Sequence, residues 1–210
     1  MRTMHPIVLT ALALTIGACA KKDAGTGDTM AMRDSAAMRR DTTAVGAAHD
    51  STTANANTNG WTDGHILAYA AAANTGEVAE GKAAQAKATN AGVKAFARQL
   101  VTDHQAMLAE GNAFAKKNNI APDTAQDDVR GLVNDSRDHV KDMSGKAAGA
   151  DWDKSFLDGE IDGHQKVLDK LQDAAKNTTN ADLRAMLVKA SGKVQEHLTK
   201  ARALKEKYPA

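Results

Sequence analysis

The sequence predicts an all-α protein: a ferritin-like four-helix bundle in which two helical hairpins are joined by a long crossover containing an extra short helix. From residue 61 onward, Ala, Lys, Leu, Gln and Asp dominate and runs of β-branched residues are absent. Apolar residues recur three and four positions apart, which places them on one face of a helix. Each such helix can bury one apolar stripe in a shared core.

Capping signals divide this region into five helices. The predicted spans are 62–88, 91–117, 124–146, 152–176 and 180–206. Each span begins at or beside a residue whose side-chain oxygen can accept a hydrogen bond from a free backbone amide. These predicted N-caps are Thr62, Asn90, Asp123, Asp151 and Asn180.

Loop lengths predict how the helices connect. Turns of two or three residues near Thr89 and Thr179 make each flanking pair of helices an antiparallel hairpin. The connection from Asn118 to Asp151 is long and contains a helix of its own, as the crossover of a ferritin-like bundle does. An up-and-down bundle with an appended fifth helix fits the same spacing and remains the alternative.

The N-terminus has the composition of a targeting segment. Residues 1–18 combine a basic start, an apolar run too short to cross a bilayer, and small residues before Cys19, as secretory signals do. Ile16 to Cys19 resembles the lipobox of bacterial lipoproteins, which implies cleavage before Cys19 and attachment of lipid to it. With Ala20 next, the resemblance implies the periplasmic side of the outer membrane. Ordinary secretion with a free Cys19 is the alternative.

The segment after the signal differs from the rest of the chain. Residues 19–60 have few large apolar side chains, so they cannot bury enough surface to offset the entropy of ordering. We interpret them as the lipidated Cys and a flexible tether. Residues 61–210 then form the helical domain, which contains no cysteine and therefore no disulfide or thiolate ligand.

Charge and motif content exclude several functions. The formal net charge of the chain is only +1, whereas phosphate binding draws on a surplus of cationic side chains, so we expect no nucleic-acid partner. No nucleophile motif or Gly-rich phosphate loop is evident, which disfavours a hydrolase or a nucleotide-dependent enzyme. The expected membrane contact is through the N-terminal lipid, and the sequence identifies no protein partner or oligomeric state.

Five polar side chains occupy positions where the apolar stripes call for a hydrophobic residue. They are Glu77 and Glu80 in the first helix, His104 in the second, His164 in the fourth and His197 in the fifth. Counted from the hairpin turns at 1.5 Å per residue, all five fall near the middle of helices about 40 Å long. The sequence therefore predicts that they meet at one level of the bundle.

Two hypotheses account for such a layer, because buried carboxylates cost several kcal/mol unless something compensates them. One is a single divalent transition metal, Zn, Fe, Mn or Cu, held by the five side chains. The other is a metal-free polar layer that fixes helix register in a non-catalytic envelope module. Whether the protein is an enzyme stays open.

Further polar residues flank the predicted ligands. Asp103, Glu160 and Glu196 are candidates for outer partners that orient a ligand, although a solvated flank is the first interpretation for Glu160. His65 is expected to face solvent, and His139 to lie on a crossover helix outside the bundle.

Four motifs carry a family resemblance. They are Glu77-x-x-Glu80-Gly81-Lys82-x-Ala84, Val93-Lys94-Ala95-Phe96-Ala97 leading to Asp103-His104, the residues around His164, and Glu196-His197-Leu198. Together they resemble a bacterial family of exported ferritin-like proteins, the domain of unknown function DUF4142, over Trp61 to Lys207. The resemblance implies a ferritin-like bundle in the cell envelope and no established activity.

The sequence departs from di-iron carboxylate bundles, which place Glu-x-x-His on two helices and Glu on two others. Here Val101, Ile161 and Val194 stand three residues before the histidines. Too few carboxylates remain to bridge two irons, so a mononuclear, histidine-rich site is predicted.

Overall fold

A computed structural model of the chain describes residues 60–208. The predicted signal at 1–18, Cys19 and most of the tether lie outside the described residues. Within them the chain forms five helices and no strand, which confirms the all-α fold class. The helices are α1 (Asp63–Lys87), α2 (Ala91–Lys117), α3 (Asp127–Gly145), α4 (Ala150–Asn177) and α5 (Ala181–Lys205).

Three of the five predicted N-caps are confirmed. In each, a side-chain oxygen accepts a hydrogen bond from a backbone amide of the first turn, at Thr62, Asn90 and Asn180. The other two are wrong for local reasons. Asp123 caps a turn by accepting from the amide of Ala125, so α3 begins later. Helix α4 begins earlier, after Gly149, whose φ of 153° suits glycine.

The hydrogen bonds at the two ends of the bundle fix its topology. Asp153, near the start of α4, accepts from the backbone amides of Thr89 at 3.0 Å and Asn90 at 2.8 Å, in the α1–α2 turn. At the other end Asp63, which begins α1, accepts from the side-chain amide of Asn180 at 2.9 Å, in the α4–α5 turn. The two hairpin turns therefore lie at opposite ends, and α2 and α4 run parallel.

The connection between the hairpins must therefore span the length of the bundle. Such a crossover is a feature of the ferritin-like arrangement, and the up-and-down alternative lacks it. Helix α3 makes this passage against α1. Gly76 permits the close approach, since a Cβ there would lie 2.6 Å from Oγ of Ser136. His65 is also part of this contact: it is 7% exposed and its Nε2 lies 2.8 Å from Asp128, so its predicted exposure to solvent is wrong.

Two apolar clusters fill the bundle, one toward each end. The cluster near the α1–α2 turn contains Phe96, Trp152, Phe156 and Leu157, and the cluster near the α4–α5 turn contains Ile66, Leu168, Leu183 and Leu187. Burying each such side chain contributes about 1.5–3 kcal/mol. The predicted polar positions lie between these clusters, at mid-height.

No helix in residues 60–208 combines the length and the apolar character needed to cross a membrane.

Asp153 offers a test of the tie between the hairpins. We expect Asp153→Ala to lower the free energy of unfolding by about 3 kcal/mol, because two backbone amides and the Thr89 hydroxyl lose a charged, fully buried acceptor. Urea denaturation of the full chain measures the effect. Asp151→Ala is the control, since that side chain is exposed in the same helical turn; equal effects of the two variants would contradict the role of Asp153.

Candidate metal centre

Three imidazole rings from three helices meet at the middle of the bundle. His104 on α2, His164 on α4 and His197 on α5 are 3%, 1% and 0% exposed. Their ring centroids lie 5.1 to 5.5 Å apart. One nitrogen of each ring lies within 4.8 Å of a nitrogen of both others. The structure thus brings these three predicted residues together.

The tautomer of His104 follows from its neighbour Asn74. The side-chain amide of Asn74 donates to the carbonyl of Ala70 at 2.8 Å, which leaves its Oδ1 as an acceptor 2.9 Å from Nδ1 of His104. Nδ1 therefore carries the proton. Nε2 carries the lone pair, and it is buried without a hydrogen-bond partner.

The other two rings are fixed in the same way. Nδ1 of His164 donates to the backbone carbonyl of Glu160 at 2.9 Å, and Nε2 of His197 donates to Asp103 at 2.8 Å. The remaining nitrogens, Nε2 of His164 and Nδ1 of His197, face each other at 3.4 Å. Two lone pairs at this distance repel each other unless a proton or a metal ion lies between them. Two nitrogen ligands of a tetrahedral metal, with bonds of about 2.0–2.1 Å, would be about 3.4 Å apart.

Burial favours the neutral form of two of these imidazoles. It lowers the pKa of His104 to about 2, and repulsion from His164 and His197 acts in the same direction. Burial also lowers the pKa of His197, although its hydrogen bond to Asp103 opposes the shift. Neutral imidazole is the form that binds a metal, so burial favours the binding form of His104 and His197.

Glu77 and Glu160 lie on the opposite side of His164. Glu160 is 1% exposed, so its interpretation as a solvated flank is wrong. It is buried because it precedes His164 by one helical turn and points the same way. Burial raises the pKa of Glu77, and burial together with the charges of Glu77 and Glu80 holds the pKa of Glu160 well above its usual range. Both shifts favour the protonated form of a carboxyl in this pair.

Glu80 does not lie with the three imidazoles. Its carboxylate turns toward α3, where it accepts from Oγ of Ser136 at 3.0 Å and pairs with Nδ1 of His139 at 2.8 Å. The hydrogen bond to Glu80 raises the pKa of His139, which favours an ion pair. His139 is thus outside the four-helix core, as predicted, but contacts it, since a Cβ at Gly159 on α4 would lie 2.7 Å from the ring.

Of the two residues next to histidines that were predicted to orient a ligand, only one contacts an imidazole. Asp103 holds His197 from behind, as expected of an orienting residue. Glu196 does not, because one residue along a helix is a rotation of about 100°; its side chain is 63% exposed and pairs with Lys193. Asn74 was not predicted from the sequence. Its polar side chain on the inward-facing stripe of α1, one turn before Glu77, was the available signal.

A cavity of ≈ 190 Å³ adjoins the cluster, on the side of the α4–α5 turn. Its polar lining includes Glu77, His104 and His164, and its apolar lining includes Leu67 and Leu187. The site therefore has room beside it for water or a small molecule.

Comparison with known families gives one match. The model of the family described as Domain of unknown function (DUF4142) matches residues 46–204. The chain belongs to this family, as the motifs predicted. Searches of curated proteins and of solved structures found no match.

The buried titratable groups predict how stability of the metal-free protein depends on pH. Below about pH 6.5, His104 binds more protons in the unfolded state than in the folded state. The free energy of unfolding therefore falls by up to about 1.4 kcal/mol per pH unit as the solution is acidified. Folded Glu160 binds more protons than its unfolded form above about pH 4.3, so stability also falls as the pH rises. We expect a maximum between these values.

Urea denaturation of the chelator-treated full chain across pH checks this profile. Glu160→Gln keeps the acid decline and weakens the alkaline decline, because glutamine is neutral at every pH. Identical profiles for the wild type and this variant would show that Glu160 is not held protonated.

Proposed function

We propose that this protein is a lipid-anchored protein of the cell envelope that binds one divalent metal ion through His104, His164 and His197. The observation that carries the proposal is the arrangement of protons on the three rings. Each ring donates its outer N–H to an oxygen and turns its other nitrogen toward the other two rings. The anchoring rests on the sequence of residues 1–19, and the expected location is the periplasmic side of the outer membrane.

The donor set fits a metal well. Histidines that bind metals usually donate their second nitrogen to a carboxylate, a carbonyl or a similar acceptor, which is what Asp103, the Glu160 carbonyl and Asn74 provide. Three imidazoles favour Zn or Cu over metals that prefer oxygen ligands, such as Mn. Three protein ligands beside a cavity leave a fourth position for water or a small molecule. A metal held there would supply Lewis-acid or redox chemistry.

The alternative is a metal-free polar layer in an interaction module. The position of the layer between two apolar clusters supports this alternative, because polar side chains there can set the register of the helices. This alternative predicts that replacing the layer by apolar residues raises the melting temperature and leaves partner binding intact.

Metal content of the full chain, purified without a polyhistidine tag, distinguishes the two. After loading with Zn²⁺ and dialysis we expect at least one ion per chain and a higher melting temperature, because the ion binds only the folded state. His104→Ala should abolish both effects, since it removes one of three ligands. His65→Ala is the matched control, because His65 is also buried but lies against Asp128. Absence of stoichiometric metal, or equal losses in both variants, would refute the proposal.

Asp103 provides a second test. We expect Asp103→Asn to weaken Zn²⁺ binding about 10–100-fold, because the hydrogen bond that orients His197 loses its charge. Competition with a chromophoric chelator measures the dissociation constant. Glu196→Gln changes the exposed carboxylate next to His197 and should leave the constant unchanged. An unaltered constant in Asp103→Asn would mean that His197 is not held through this bond.

A further inference from the structure

His164 lies between two groups of possible ligands. Its Nε2 faces His197, while its Nδ1 lies 3.4 Å from Oε2 of Glu160 and 3.6 Å from Oε1 of Glu77. The three-histidine site uses only the first of these nitrogens. The second points into a pocket of carboxylate oxygens.

These carboxylates are buried without donors. Neither oxygen of Glu160 receives a hydrogen bond from an N–H or O–H group, nor does Oε2 of Glu77. Within residues 60–208, the salt bridges formed by these two side chains are with His164, and no lysine or arginine pairs with them. Buried carboxylates in this position need a proton or a cation.

The distances suit a cation. One ligand atom each from Glu77, Glu160 and His164 lie within 4.8 Å of one another. Neighbouring ligands of a tetrahedral ion with bonds of about 2.0–2.1 Å are about 3.4 Å apart. The measured separations of 3.4 and 3.6 Å therefore require only a small adjustment of side chains.

We propose that a second divalent cation binds between Glu77, Glu160 and Nδ1 of His164, so that the His164 ring bridges two metal ions. The inference rests on the proposed function, because the bridge needs the first ion at Nε2. The Nδ1 proton, otherwise donated to the Glu160 carbonyl, leaves as the second ion enters, together with any proton that the two carboxyls hold.

The two sites differ in chemistry. The first has three nitrogen ligands, whereas the second has two carboxylates and one nitrogen, which also suit Zn²⁺, Fe²⁺ or Mn²⁺. The second ion must displace protons and a backbone hydrogen bond, so it binds more weakly than the first. The full chain thus takes up two ions in order.

Titration of the full chain with Cu²⁺, followed by electron paramagnetic resonance, tests the bridge. The first equivalent gives the signal of an isolated Cu²⁺ ion. The second equivalent should reduce that signal and produce a half-field transition, because the two unpaired electrons couple through the imidazole ring. In Glu160→Gln the second ion should bind at least about 100-fold more weakly. This loss exceeds the 10–100-fold loss of metal affinity that is typical when a residue that only orients a ligand is replaced.

The glutamine variant is suited to this test because it resembles the protonated carboxyl and keeps the fold. Glu80→Gln is the control: Glu80 lies one turn from Glu77 but binds Ser136 and His139, so both ions should still bind and couple. Uncoupled second-site signals, two-ion binding unchanged in Glu160→Gln, or binding of a single ion to the wild type would each overturn the bridge. A single ion would leave the three-histidine function standing, whereas absence of any bound ion would overturn both.

Discussion

The interaction on which the centre of this bundle depends is the hydrogen bond from the outer nitrogen of each buried imidazole. The acceptors are Asn74 on α1, the Glu160 carbonyl on α4 and Asp103 on α2. Each bond fixes the rotation of a ring and the nitrogen that keeps its lone pair. The bonds of His104 and His197 also link helices, so the register of α1 against α2, and of α2 against α5, is tied to the chemistry of the site.

The packing above and below this layer keeps its histidines buried. Apolar clusters close the bundle above and below it, and Asp63 and Asp153 tie each hairpin turn to a helix of the other hairpin. Replacing buried polar groups by well-packed apolar ones is often neutral or stabilising. A polar layer that costs stability in the metal-free protein is therefore more readily explained by a ligand than by packing.

The sequence predicts the helices, the hairpins and the three histidines well, because helix period and distance from a turn determine both the direction and the height of a side chain. The prediction fails where the direction of a side chain depends on a shift of one residue along a helix, or on the position of another helix. Glu80 turns away because α3 offers it His139, and Glu160 turns inward because it shares a row with His164. The path of α3 along α1 depends on tertiary contacts such as those at Gly76, which no local pattern contains.

Charge balance connects the three histidines to the carboxylates around them. A divalent ion held by neutral imidazoles brings two positive charges into a medium that solvates them poorly. Burial acts to raise the pKa of Asp103, but hydrogen bonds from His197 and Gln99 lower it overall. Asp103 therefore contributes one negative charge behind His197. Glu77 and Glu160 lie beside His164, where an ionised carboxylate of this pair would add further negative charge. Negative charge on carboxylates that do not touch the ion would therefore offset part of the cost of burying it.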